Sequence, residues 1–136
     1  MIYEIFSLIT VALLWGGTNP LLKKNSKKIM VIKSASKVEQ FILEIKYLFT
    51  NIGYMIPLAL NQLGSVVYFF ALQHTDISLA VPVANSLSFV FTAIVGSLLG
   101  EELPNRKVVM GIMFIFAGSA LCCYDKYSIG TVEVLK

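Results

Sequence analysis

Four stretches of the chain carry no Asp, Glu, Lys or Arg: residues 5–22, 47–74, 77–100 and 108–124. A helix needs about 17–25 predominantly apolar residues to cross a bilayer core about 30 Å thick. All four stretches reach that length. A buried helix of a soluble protein is usually shorter and charged along one face. The pattern therefore predicts four transmembrane helices, over about residues 2–22, 52–73, 77–99 and 106–124. A fifth pattern lies between the first two. Over residues 37–50, Val38, Phe41, Ile42, Ile45, Leu48 and Phe49 recur at helical spacing, while Glu39, Gln40, Glu44 and Lys46 fall off that stripe. This is the signature of an amphipathic helix. It fits either a helix lying in the membrane interface beside its lysines or an extension of the second span packed on the bundle. The predicted fold is all-α and polytopic, a single transmembrane domain over 1–136, with a basic amphipathic connection at 23–51 and a short tail at 125–136.

The spans contain local irregularities. Gly16-Gly17-Thr18-Asn19-Pro20 is a weak spot, because Pro20 lacks a backbone N–H and crowds the preceding turn. In lipid the freed carbonyl needs a new partner, and Thr18 and Asn19 are near. The link at His74-Thr75-Asp76 is so short that spans two and three are expected to form a tight antiparallel hairpin. His74 and Asp76 read as a solvated turn, and Glu4 as a carboxylate at the membrane surface.

Composition agrees with the pattern. Apolar residues make up 57% and charged residues only 14%, against about 45–50% and about 25% in soluble domains. The distribution of charge matters more than its net value of +3, which gives no case for nucleic acid. Seven lysines lie between spans one and two, and Arg106 and Lys107 lie between spans three and four. The other face holds only Lys126 and Lys136. Basic loops stay in the cytosol, so both termini are expected to be lumenal or extracellular. Lys23, Lys24, Lys27 and Lys28 form a run expected to lie against anionic lipid. The first span has Glu4 upstream and its basic cluster downstream, which suits an uncleaved helix and not a leader.

Polar residues inside the spans are the best functional clues, because burying them in hydrocarbon without partners is costly. Span two carries Asn61, Gln62, Ser65 and Tyr68; span three carries Ser78, Pro82, Asn85, Ser86 and Thr92; span one offers Thr10, Gly17 and Thr18. These faces either line a shared polar crevice or hold the bundle together, at about 0.6 kcal/mol per hydrogen bond. Gly111, Gly118 and Cys122 share one face of span four, a small-residue stripe for a dimer seam or for packing within the monomer. Cys122 and Cys123 are adjacent and read as small, buried and inert. One histidine, no serine–histidine–acid set and no phosphate loop argue against an enzyme. No metal or cofactor is expected.

Ala12-Leu13-Leu14-Trp15-Gly16-Gly17-Thr18-Asn19-Pro20 resembles the Trp-Gly…Pro signature that opens the drug/metabolite transporter superfamily. Ala71-Leu72, Asp76-Ile77-Ser78-Leu79-Ala80-Val81-Pro82 and the stretch from Phe91 through Gly96 to Leu99-Gly100-Glu101 are similar to that superfamily as well. Gly111-Ile112-Met113-Phe114-Ile115-Phe116-Ala117-Gly118 resembles the last helix of the small multidrug resistance proteins. More closely, residues 15–22, Asn61-Gln62 and residues 79–86 resemble the eukaryotic transmembrane protein 234 family. The resemblance covers about residues 10–124. It implies a four-helix half-transporter, usually paired with a second copy. The small multidrug pumps carry a glutamate in helix 1 for proton exchange, and the matching stretch here, Ala12-Leu13-Leu14, has no acid. Coupling of that kind needs an intramembrane carboxylate.

The expected function is that of a carrier, or a carrier-like subunit, for a small polar solute, not proton-coupled through a helix-1 carboxylate. Trp15, Thr18, Asn61, Gln62, Ser65, Tyr68, Asn85 and Ser86 are the candidate lining residues. The alternative is a non-transporting membrane scaffold or regulatory subunit. Expected partners are the lipid bilayer and either a second parallel copy or a different membrane protein.

Overall fold

The computed structural model describes residues 2–102 and 104–134, with side chains described through residue 129. Its elements are α1 (Ile2–Ser26), a short 3-10 helix (Lys27–Val31), α2 (Lys37–Thr50), α3 (Ile52–Leu72), α4 (Ile77–Leu98) and α5 (Arg106–Val134). Among the described residues, four helices are long and apolar enough to cross a membrane, and they are the four expected spans. The sequence underestimates two of them. α1 runs past Leu22 to Ser26, and α5 runs past Tyr124 to Val134 where a tail was expected. Charged residues end a membrane span without ending a helix. In α5, Lys126 pairs with Asp76 at the start of α4, which anchors the extra turns.

The short turn after α3 does not produce a directly packed hairpin. α1 lies between α3 and α4 and makes most of its contacts with those two, while α3 and α4 barely touch. Small residues allow the wedge. An added Cβ at Gly16 would stand 2.5 Å from the Ser88 carbonyl oxygen and 2.6 Å from Phe91 Cβ. On the other side, a Cβ at Gly64 would stand 2.9 Å from the Trp15 ring. Both helices therefore approach α1 at glycine, the way membrane helices gain packing when lipid supplies no hydrophobic drive. The described apolar core is correspondingly small: Leu8, Val11, Ala12, Ala71, Ala80 and Ala84. Phe69, Phe70, Phe114 and Leu121 point outward, as suits a protein whose solvent is hydrocarbon.

Pro20 leaves α1 continuous and is itself buried. The Thr18 hydroxyl donates to the carbonyl of Leu14 at 2.6 Å, not to the Gly16 carbonyl that Pro20 leaves without its usual partner. α5 is the outermost helix and meets the bundle through α4. Its one buried side chain among those described is Ser119, whose hydroxyl lies 2.6 Å from that of Ser86 and 3.2 Å from the Pro82 carbonyl. Cys122 and Cys123 are exposed on α5, not buried as expected; a peripheral helix with one packed face leaves most of its residues outside.

α4 ends where Gly100 adopts φ 81°. The N–H of Glu101 then returns to the carbonyl of Gly96 at 2.9 Å, a helix stop that favours glycine. The reversal brings the Glu101 carboxylate 3.2 Å from the Lys23 ammonium at the end of α1. The two basic connections thus lie at one end of the bundle.

α2 is a helix in its own right. Asn51 breaks the chain before α3 with extended geometry, φ −89° and ψ 101°, and its side chain caps α3 by accepting from the Gly53 N–H. No residue of α2 is buried. It is therefore not a packed extension of the second span.

Candidate functional site

The middle of the bundle holds a polar crevice. Because α1 separates α3 from α4, a groove remains above it, floored by Trp15 and Asn19 and walled by Asn61, Ser65, Asn85, Ser88, Phe89 and Thr92. Its volume is about 330 Å³, at the small end of the roughly 300–1,000 Å³ typical of small-molecule clefts. None of these residues ionises at physiological pH.

The hydrogen bonding of the crevice is lopsided. Asn61 Nδ2 donates to Thr18 Oγ1 at 2.9 Å and lies 3.4 Å from Asn19 Oδ1. Thr18 passes its own proton to the backbone. This chain fixes the Asn61 amide in place. Ser65, Asn85, Ser88 and Thr92 make no side-chain hydrogen bond among the described residues. Four polar groups without side-chain partners among the described residues thus line one groove within the apolar helices, where lipid would offer none.

The expected lining residues divide into two groups. Trp15, Asn61, Ser65 and Asn85 line the crevice together. Thr18 is buried behind Asn61 as its acceptor. Tyr68 packs on Trp15, ring centroids 5.1 Å apart at 58°, and so backs the wall. Gln62 is exposed outside the groove, and Ser86 is buried against Ser119. Helical geometry accounts for the division, since neighbours in a helix point about 100° apart. Here Asn61 faces the groove while Gln62 turns away from it, and Asn85 faces it while Ser86 turns to Ser119 of α5. Asn19, Ser88 and Phe89 are additions to the expected lining, and Thr92 joins it from the polar face expected on span three. Asn85, Ser88 and Thr92 follow i, i+3, i+7 spacing, a signal that was available.

A larger cleft of about 940 Å³ sits at the opposite end from the basic connections, beside Glu4, His74, Asp76 and Lys126. Asp76 is ion-paired with Lys126, and His74 and Asp76 are exposed, as expected of a turn in solvent. On α5, Gly111 and Gly118 have open space where a Cβ would stand, so the small-residue stripe does not pack within the monomer.

Comparison with known proteins decides the family. Residues 8–123 match the model of the family described as "Putative transmembrane family 234". The chain belongs to transmembrane family 234. It is 44% identical to a Transmembrane protein 234 homolog of Dictyostelium discoideum, over 92% of this chain and 98% of that protein. It is 46% identical to a Transmembrane protein 234 homolog of Anopheles gambiae, over 92% of this chain and 89% of that one. No solved structure matches. Family and helices together make this member of transmembrane family 234 an integral, multi-pass membrane protein.

Proposed function

We propose that this member of transmembrane family 234 is a carrier, or a carrier-like subunit, for a small neutral polar solute. The observation behind the reading is the set of polar groups without side-chain partners at Ser65, Asn85, Ser88 and Thr92, which line one groove in the middle of the bundle. A solute with hydroxyl or amide groups satisfies them. The lining holds no ionisable residue among those described, which favours a neutral solute and argues against proton coupling through a carboxylate in the crevice. The sequence resemblance to drug/metabolite transporters points the same way. The substitution Asn85→Cys, with Cys122 and Cys123 changed to alanine, tests it. The expected result is reaction of the introduced thiol with a small water-soluble reagent and at least a tenfold fall in flux across reconstituted vesicles, screened with a panel of neutral solutes. A parent protein that carries no solute, together with a folded, inserted variant whose introduced thiol is inert, would favour the scaffold or regulatory subunit instead.

One observation supports an assembly around this unit. Asn19, Ser65 and Phe89 are exposed at the side of the bundle, and transporter cavities are commonly closed between two repeats. A second parallel copy, or a different membrane protein, completes the enclosure. The open Gly111–Gly118–Cys122 stripe is the proposed seam for a parallel pair. Gly111→Leu with Gly118→Leu is expected to convert the dimer to monomer in crosslinking experiments while each copy remains inserted. Undiminished crosslinking would move the seam elsewhere.

A further inference from the structure

Where the polybasic run turns back toward α3, the chain forms a further concavity, of about 440 Å³. Lys24, Asn25 and Lys28 come from the end of α1 and the 3-10 turn, and Tyr47, Thr50 and Asn51 from the end of α2. Close contact at Gly53 holds the two sides together, since a Cβ there would stand 3.0 Å from Asn25 Oδ1 and 3.2 Å from Asn51 Oδ1. Among the described residues, no carboxylate lines it.

The hydrogen-bond inventory leaves the concavity rich in donors. Asn51 Oδ1 is occupied by the Gly53 N–H at 3.1 Å. Asn51 Nδ2 donates to Tyr47 Oη at 3.1 Å, which leaves the phenolic proton of Tyr47 free to be donated onward. Asn25 Nδ2 gives one hydrogen to the Leu21 carbonyl at 2.9 Å and keeps another. The Thr50 hydroxyl is spent on its own helix. Neither Lys24 nor Lys28 is ion-paired or hydrogen-bonded through its side chain among the described residues, and both are exposed. Lys23, by contrast, is engaged by Glu101. Two free ammonium groups, a phenol and a spare amide hydrogen match the oxygens of a phosphate.

The surroundings select the kind of phosphate. The concavity lies where α1 ends and α3 begins, at the level of a bilayer's headgroups. On the side of α2 away from Tyr47, at about 100° per residue, Val38, Phe41, Ile42 and Phe49 are exposed, an apolar face that nothing in the bundle covers and that suits a helix lying in the membrane interface. We propose that Lys24, Asn25, Lys28 and Tyr47 bind the phosphate of one anionic phospholipid, whose acyl chains join those of the bilayer. The site differs from diffuse attraction to a charged surface, because it assigns the effect to two lysines and one phenol among many basic residues.

The test uses the purified full chain in neutral detergent, titrated and observed by native mass spectrometry. The probes are dioleoylphosphatidic acid, dioleoylphosphatidylcholine, glycerol 3-phosphate and inorganic phosphate. One equivalent of phosphatidic acid is expected to bind at least tenfold more tightly than phosphatidylcholine. Lys24→Gln with Lys28→Gln should weaken it on the order of tenfold or more, as the loss of two headgroup-level charges implies. Lys33→Gln with Lys37→Gln removes the same charge elsewhere and should leave it unchanged. Tyr47→Phe keeps every charge and should weaken binding severalfold, so it decides the matter if the lysine variant does not fold. Equal losses in the two lysine pairs would reduce the site to diffuse attraction. Unchanged retention in Tyr47→Phe would remove the cradle. Displacement of the lipid by inorganic phosphate or glycerol 3-phosphate at matched concentration would make it a site for soluble phosphate, and the lipid assignment would fall.

Discussion

Gly16→Val is expected to prevent the bundle from assembling, whereas Gly17→Val, one residue away, is expected to be tolerated. At Gly16 the first added atom meets the Ser88 carbonyl oxygen at 2.5 Å and Phe91 Cβ at 2.6 Å. The backbone oxygen cannot rotate aside, so α4 has to move as a body. Overpacking typically costs about 1–3 kcal/mol and sometimes more. Here the displacement would also strip α1 from the helix that carries Asn85, Ser88 and Thr92. At Gly17 nothing lies within 4 Å of an added Cβ. Alanine there should be neutral or stabilising by up to about 1 kcal/mol, from helix propensity. Thermal unfolding in detergent checks the pair. Gly16→Ala should lower the midpoint clearly, Gly16→Val should yield only aggregated protein, and both Gly17 variants should run as the parent. Equal behaviour at the two positions would mean that α1 does not sit between α3 and α4.

That wedge is not legible in the sequence, whereas the helices that form it are. Charge-free runs of span length marked the four membrane helices, because length and hydropathy are local properties. The amphipathic spacing from Val38 to Phe49 marked α2 for the same reason. The order in which helices pack is not local. A short link at residues 74–76 implies adjacent helices, yet α1 separates them, and only the pairing of Gly16 with Ser88 and of Gly64 with Trp15 explains how. Glycines in a membrane helix announce a close approach without saying to what. Helix ends are not legible from charge, since Lys23, Lys24, Asp125 and Lys126 are all helical.

The crevice was half visible. Asn61 and Asn85 stood out because polar amides in hydrocarbon demand partners, and both line the groove. Gln62 and Ser86 were carried along as their neighbours, although a helix turns adjacent residues apart. Ser86 proved to be an interhelical hydrogen bond to Ser119 on α5, a partner that no spacing within α4 could reveal. Thr92 stands on the expected polar face of span three, and Ser88 is readable from Asn85 by periodicity. Asn19, next to Pro20, draws its place in the floor from α1 remaining helical through the proline.

A glycosylation acceptor appended to the C-terminus is expected to be fully modified, and one inserted between Lys28 and Lys37 is expected to remain unmodified. The reasoning begins with charge. Nine basic residues lie in the two connections on one face and two on the other, and positive residues near the ends of spans are retained in the cytosol. The structure joins those two connections into one end of the molecule. Lys23 pairs with Glu101 across them, and Gly53 packs on Asn25 at the same level. At the other end, Lys126 is paired with Asp76 and so retains less of its topogenic charge. Such a bias is strong enough to fix one orientation for every copy, which is why a pair of identical chains should be parallel. Identical chains can pair in opposite orientations only when the bias is weak enough for both orientations to insert. Cysteines at equivalent ends of α5, in a background lacking Cys122 and Cys123, should link to each other in such a pair. Modification of the basic loop in place of the C-terminus would invert the assignment. Modification of both sites in comparable amounts would show two orientations, and with them the antiparallel pairing that the charge distribution argues against.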